Sequence, residues 1–275
     1  MGKIGVVYMK KLRKEEIGKL GLYEFQGYIG TMTSPTFGGW KGTDRLIELL
    51  DIEDMEKPKI LEVGCSTGYI TRYIAQKFDC EIIGVDLSTL LLDIAEEESR
   101  KSELNNISFK YANVENLPFS DNTFDIVYGE AITALVPDPI KVLNEYNRVL
   151  KPGGKIATLD LFMKESLSDE FIEETNEIMS KVIGTQVKIR SFQEWKQIFK
   201  KSGFRSIRMY DYYEDLFKRH YSFGEKVKIT YKLIYYMTIN KEIRQKIIPT
   251  LKFARKFQKA LKGDNYGYLI FTGLK

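Results

Sequence analysis

Histidine occurs once in this chain, at His220, and cysteine twice, at Cys65 and Cys80. Neither their number nor their spacing suits a disulfide framework or a zinc site. No His/Cys/carboxylate grouping argues for a resident metal, so a hydrophobic core has to hold the fold. With 275 residues, 43% of them hydrophobic, that core can be ample for one domain or one domain plus a cap. No apolar run approaches the length of a membrane span. Met1-Gly2-Lys3-Ile4-Gly5 lacks the apolar region of a secretory leader, and the expectation is a protein of the reducing cytoplasm. Asn106-Ile107-Ser108, which matches a glycosylation acceptor, is then coincidental.

The most informative stretch is Lys59-Ile60-Leu61-Glu62-Val63-Gly64-Cys65-Ser66-Thr67-Gly68-Tyr69. It reads as a buried strand carrying an acid, a turn bounded by glycines, and a helix start. Gly64 and Gly68 have no Cβ, so a ligand can lie against bare backbone there. A carboxylate at Glu62, inside an apolar strand, is costly unless something polar answers it. Dinucleotide folds use G-x-G-x-x-G to aim amides at a diphosphate. Here the spacing is Gly64-x-x-x-Gly68 with Ser66 between, which lacks that pattern. A second apolar strand, Glu81–Asp86, ends in an acid suited to ribose hydroxyls.

Three further segments follow in order. Ile107–Tyr111 is a third strand, leading into Ala112-Asn113-Val114-Glu115. Asp121–Glu130 is a fourth, ending in an acid. Glu145–Gly154 closes a helix with Pro and Gly and launches a fifth strand, Ile156–Leu161. This ordered set resembles the class I S-adenosylmethionine-dependent methyltransferases, in particular their type 11 small-molecule branch, over Pro58 to about Leu161. The resemblance implies an α/β fold: a seven-stranded Rossmann-like methyltransferase sheet, mostly parallel with the last strand antiparallel, carrying helical cap insertions.

What the resemblance implies for single residues is as follows. Gly64 and its neighbours Cys65 and Ser66 would face the methionine portion of S-adenosylmethionine, with Gly68 closing the cofactor-binding turn and Glu62 holding the turn and the amino group's surroundings. Asp86 would accept from the ribose, Leu87 would pack on the adenine, and Asn113 and Val114 would meet the adenine edge and ring. Glu130 and Ala131 would line the wall nearest the sulfonium. Many members have glycine in place of Ser66 and aspartate in place of Asn113. Serine is small and asparagine still accepts, so binding should survive both changes.

The remaining segments frame the core. Helices are expected over Lys10–Leu20, Asp44–Leu50 with Thr43 as N-cap, Tyr69–Lys77, Thr89–Leu104 and Pro139–Val149. Ser191-Phe192-Gln193-Glu194 is a capping box opening a helix through Lys201, and Ser206–Tyr212 and Tyr266–Gly273 supply strands six and seven. Residues 1–43 read as an N-terminal lid or arm and 44–212 with 265–275 as the core. Residues 213–264 read as a basic helical insertion between the last two strands. A second insertion over Lys164–Arg190 carries another helix. Leu22–Gly30 resembles the aromatic lid of this family, with Tyr23 and Tyr28 as aromatic wall residues, closing over cofactor and acceptor. The plainer alternative is an arm packed for stability.

Between Tyr213 and Lys262 there are thirteen Lys and Arg against four acids, while the whole chain carries only +4. Such an insert suits an anionic substrate, RNA or a lipid surface, or is simply a solvated helix face. Its aromatics, among them Tyr231, Tyr235 and Phe253, are read as core or as a hydrophobic pocket. Ile243, Ile247, Leu251, Ala254, Phe257 and Leu261 form a helical stripe that Pro249 should kink.

A sulfonium is an already activated methyl donor, so the protein has to align an acceptor and exclude water. Alignment is worth on the order of 7–11 kcal/mol. Glu130 is the candidate general base, with cofactor or lid hydrogen bonding as its alternative role. His220 is a weaker one, since a lone histidine among aromatics is commonly structural. The expected partner is a small-molecule or lipid-like acceptor. An RNA-directed enzyme and a non-catalytic S-adenosylmethionine-binding protein are the rivals; nucleic acid is not favoured, because Gly129-Glu130-Ala131-Ile132 is no base-methylating motif. The sequence sets no oligomeric state.

Overall fold

The computed structural model describes residues 12–30, 39–164, 167–183, 186–212, 223–261 and 266–275. A mixed sheet is built from β1 (Lys59–Val63), β2 (Glu81–Asp86), β3 (Ile107–Tyr111), β4 (Phe124–Glu130), β5 (Leu150–Met163), β6 (Arg190–Ser191), β7 (Arg205–Tyr212) and β8 (Tyr266–Leu274). Its order is β3-β2-β1-β4-β5-β8-β7, and the two-residue β6 adds to the end of β5. Only β8 runs against its neighbours.

Period-two alternation sends neighbouring strand residues to opposite faces, and in an apolar strand both faces must be covered. Ile60, Ile82, Ile126 and Leu159 pack on one side with Leu46 and Ile47 of α3 (Gly39–Leu49) and Ile74 of α4 (Tyr69–Lys77). Leu61, Val85, Val127 and Leu269 pack on the other with Leu143 and Tyr146 of α6 (Pro139–Val149) and Trp195 and Phe199 of α8 (Phe192–Lys201). The chain leaves β1 for β2 on one side, while β4 lies on its other side. The carboxyl ends of β1, β2 and β4 therefore border a crevice at the point where strand order reverses.

Several boundaries differ from the sequence reading for identifiable reasons. The fifth strand starts at Leu150, not Ile156. Gly153 donates to Lys275 O and Lys275 donates back to Gly154 O, extending the ladder through the Pro-Gly-Gly stretch. Gly153 absorbs the bend at φ +79°. The helix before β1 starts at Gly39, so Thr43 lies in its interior, fully buried, and is not its N-cap. The helix after β2, α5, spans Thr89–Lys101, capped by Ser88. The capping box at Ser191 is present in both directions: Glu194 N donates to Ser191 Oγ (3.2 Å) and Ser191 N to Glu194 Oε2 (2.8 Å).

The amino-terminal helices and the insert form one layer. α1 (Lys14–Lys19), α2 (Leu22–Tyr28), α9 (Phe223–Ile239) and α10 (Lys241–Leu261) share a core of Ile17, Leu22, Phe25, Tyr28, Ile29, Ile243 and Ile247. The remaining insertion carries α7 (Asp169–Ile183), packed against α2 and α10. Two insert lysines close the short lid helices. Lys246 Nζ donates to Gly18 O (2.8 Å) and Leu20 O (2.7 Å), and Lys232 Nζ donates to Ile29 O. A cation at a helix C-terminus satisfies carbonyls that lack intrahelical donors. Part of the insert's positive charge is thus structural. Lys246→Met should cost about 1–2 kcal/mol and speed amide exchange over residues 14–20 while leaving the sheet's protection unchanged; hydrogen-exchange mass spectrometry reads both.

Two expectations for the insert fail. Tyr231 and Tyr235 are exposed rather than core, and Leu251 of the α10 stripe faces solvent while Ile243 and Ile247 are buried. The helical pattern continues through Pro249. His220 and the lid stretch 31–38 lie outside the described residues. Among the described residues no helix is long and apolar enough to cross a membrane.

Candidate active site

The turn after β1 is built from left-handed residues, Gly64 at φ +70°, Ser66 at +52° and Gly68 at +65°. A Cβ on Gly64 would stand 2.0 Å from Ile132 Cδ1, and one on Gly68 would stand 2.6 Å from Phe109 Cζ. The turn's amides are already engaged. Gly64 N and Cys65 N both donate to Val85 O (2.8 and 2.9 Å), Ser66 N donates to Asp86 Oδ2 (2.9 Å), and Gly68 N donates to Cys65 O (2.8 Å). Four N–H groups that a diphosphate nest would need are spent inside the fold.

Asp86 ties two loops together. Its Oδ1 accepts from Ser88 N at 2.9 Å, so the carboxylate bridges the turn after β1 and the turn after β2. Burial raises its pKa, and the amides of Ser88 and Ser66 counter that. Beside it Leu87 is 58% exposed at the crevice mouth, an apolar surface with no protein covering. Ser88 Oγ donates to Glu24 Oε1 (2.7 Å), which joins the amino-terminal helix α2 to the same loop. Val114 is buried, while Asn113 is exposed and its Oδ1 accepts from Glu115 N (2.9 Å). The Asn113 carbonyl oxygen is therefore already engaged in a local turn.

Glu62 is buried and accepts a hydrogen bond from Thr71 Oγ1 of α4. Burial pushes its pKa up to about 8; Thr71 and Tyr128 oppose the rise and nearby Glu130 adds to it. Glu130 Oε2 accepts from Thr43 Oγ1 (3.0 Å), which fixes the carboxylate from α3. Ala131, at φ +59°, donates its N–H to Leu159 O (2.6 Å) and turns the chain behind Glu130.

Some expected site residues sit elsewhere. The Cys65 side chain is buried beneath the turn, where a Cβ on Gly84 would be 2.9 Å from its sulfur, so only its backbone borders the crevice. Burial holds its thiol well above the ordinary value, which suits a packing residue. Tyr28 is buried in the cap core, its ring edge-on to Tyr236 (6.2 Å between centroids) and its hydroxyl accepting from Leu12 N (3.3 Å). Tyr23 is half-buried on α2. Sequence reasoning missed Glu24, Thr43 and Thr71. Glu24 had a local signal, an acid between the two lid tyrosines; the reach of Thr43 to Glu130 spans 87 residues and has none. Among the described residues no cluster of His, Cys, Asp and Glu is arranged for a metal.

The family model described as a methyltransferase domain matches residues 54–203, more than half of the chain. The chain belongs to the class I S-adenosylmethionine-dependent methyltransferases. A protein of Haemophilus influenzae with no assigned activity is 34% identical over 200 residues, covering 71% of this chain and 75% of that one. Phosphoethanolamine N-methyltransferase 3 of Arabidopsis thaliana is 29% identical over 135 residues, 49% of this chain but only 26% of that protein. The chain thus spans a minor part of some of the curated relatives that it matches.

Among solved structures, Haemonchus contortus phosphoethanolamine N-methyltransferase 2, in complex with S-adenosylmethionine, superposes with a TM-score of 0.70 at 20% identity, over 92% of this chain and 56% of that one. The [4+2]-cyclase SpnF gives 0.70 at 18% identity, over 95% and 96%. The geranyl diphosphate C-methyltransferase of Streptomyces coelicolor, with S-adenosylhomocysteine, gives 0.62 at 15% identity, over 86% and 75%. At such identities the superpositions speak for the fold. S-adenosylmethionine is the cofactor of this methyltransferase.

Proposed function

We propose that this methyltransferase moves a methyl group directly onto a nucleophilic atom of a small or lipid-like acceptor, enclosed between the crevice and the lid layer. The observation that carries the reading is the crevice's polarity. Its turn amides are spent internally, while Glu62, Asp86 and Glu130 converge on it and Glu24 reaches it from the lid. Carboxylates on the cofactor side of the crevice suit a cationic, hydroxyl-bearing cofactor and disfavour the diphosphate of a dinucleotide there. The names of the phosphoethanolamine and geranyl diphosphate enzymes support an acceptor of small-molecule size.

In this reading Asp86 accepts from the ribose hydroxyls, Leu87 and Val114 flank the adenine, and Asn113 meets its edge. Gly64 and Gly68 let the amino-acid portion lie on backbone, with the Glu62 carboxylate opposing its ammonium. S-adenosylmethionine supplies an activated methyl group when bound. The chain's own task is to hold the acceptor in line behind that carbon and to keep water out. The Glu24–Ser88 bond latches α2 over the cofactor end of the crevice. Glu130, fixed by Thr43, either takes the acceptor's proton or balances positive charge on it.

Replacing Glu130 by Gln should leave cofactor affinity within a few-fold and lower turnover about tenfold or more. Thr43→Val, which removes the Thr43 hydrogen bond to that carboxylate, should lower turnover less. Both follow from methyl transfer with labelled S-adenosylmethionine across a panel of amine, phosphoamine and prenyl acceptors. Unchanged turnover in the Gln variant would take Glu130 out of the chemistry. Failure of every acceptor class by a protein that binds the cofactor would refute the reading.

A further inference from the structure

The apolar surface of the insert is used by nothing described so far. On α9, Val227, Tyr231, Ile234 and Tyr235 are 53%, 71%, 59% and 49% exposed. Their spacing of four, seven and eight residues from Val227 puts them on one stripe of the helix. The opposite side of α9 carries Leu233, Tyr236 and Met237, which pack against the lid core. Single exposed apolar residues are ordinary, but a continuous stripe on a helix already packed on its other side is not.

Exposed Lys228 borders the stripe, and Lys226 is exposed at the same amino-terminal end of the helix. α10 repeats the composition: Ile248 and Leu251 are exposed on a face shared with Lys241, Arg244 and Lys252. Of the two acids in α9 and α10, Glu242 sits at the first turn of α10 against Gly18 of the lid, where a Cβ on that glycine would meet its Oε2 at 2.0 Å. Aliphatic and tyrosine side chains between flanking lysines are the chemistry of a helix lying in a bilayer interface. The rings and aliphatic groups enter the headgroup boundary while the ammonium groups meet lipid phosphates.

We infer that α9 and α10 form a docking surface for a bilayer containing anionic phospholipid. Charge separates this from the other occupants. A second copy pairing through the same stripe would answer its apolar side chains but set one positively charged surface, with Lys228, Lys241, Arg244 and Lys252, against another. Nucleic acid would answer the lysines but leave Val227 and Ile234 in water. An anionic membrane answers both. The inference does not depend on which acceptor is methylated, and no helix among the described residues needs to span the membrane.

The test uses the full chain in co-sedimentation with vesicles of phosphatidylcholine alone and of phosphatidylcholine with phosphatidylglycerol. Binding is expected to the mixed vesicles and to weaken with added salt. Tyr231→Ser with Ile234→Ser, and separately Lys226→Glu with Lys228→Glu, should each reduce partition about tenfold or more. Both pairs should keep the parent's calorimetric affinity for S-adenosylmethionine, which shows that they are folded. Three results would each overturn the inference. One is no partition of the parent onto mixed vesicles, another is partition that neither pair alters. The third is a dimer of the parent, seen by analytical ultracentrifugation, that the Tyr231→Ser/Ile234→Ser pair dissolves.

Discussion

Gly64→Val should remove S-adenosylmethionine binding altogether. The position has φ +70°, where a β-branched residue is a backbone outlier, and left-handed backbone alone costs roughly 1–2 kcal/mol for an L-residue. Its Cβ would stand 2.0 Å from Ile132 Cδ1, so Ile132 would have to leave its place behind the crevice. The turn on which the ligand should lie would then have to shift together with Ile132. Asp86→Ala should reach the same result by another route. It deletes the acceptor proposed for the ribose and also frees Ser66 N and Ser88 N, which hold the two turns together. Calorimetry with S-adenosylmethionine and S-adenosylhomocysteine reads both variants, and thermal unfolding separates lost binding from lost folding. Retained affinity in both would discredit this assignment of the site.

The second large effect concerns Glu62 and pH. Its pKa stands at about 8 against an ordinary 4.5, because burial disfavours the carboxylate. Between those two values the native state holds a proton that the unfolded chain has released, so Glu62 lowers stability progressively as pH rises through that window. Glu62→Gln can still accept from Thr71 and has nothing to ionise. The empty variant should therefore melt above the parent, with a gap that opens from about pH 4.5 and is complete above about 8.

Cofactor binding should move the other way. An ammonium group beside Glu62 favours its ionised form, so binding below about pH 8 expels a proton. In calorimetry the apparent heat should then depend on the ionisation enthalpy of the buffer for the parent, and much less for Glu62→Gln, which should also bind far more weakly. Equal proton release by both would remove Glu62 from the ligand's surroundings.

Glu62 and Gly64 were readable in the sequence because their signals are local. A five-residue apolar strand interrupted by one acid, followed by two glycines four apart, admits few other structures. The α/β alternation was equally local, and β1, β2, α4 and α6 fall at the expected residues. What was illegible depends on contacts distant in sequence. Thr43 looks like an N-cap from its neighbours and is instead a buried donor to Glu130. Cys65 lies in the turn, but only the packing of Gly84 and Phe109 shows that its thiol points away from the crevice.

The strand-like alternation of Val227, Ile229, Tyr231 and Leu233 competes with a helical pattern. Helix wins because Leu233, Tyr236 and Met237 find the lid core. That same packing turns Tyr231 outward, so reading every aromatic of the insert as core could not hold. The union of lid and insert through Lys232, Lys246 and Asn240 has no signature in either segment alone.

A crystal structure of the protein with S-adenosylhomocysteine tests the central claim most directly. The account predicts the ribose hydroxyls on Asp86, the amino-acid portion against Gly64–Gly68 with its ammonium toward Glu62, and the sulfur opening toward Glu130. Ligand density away from the carboxyl ends of β1, β2 and β4, or a ribose that does not touch Asp86, would contradict it.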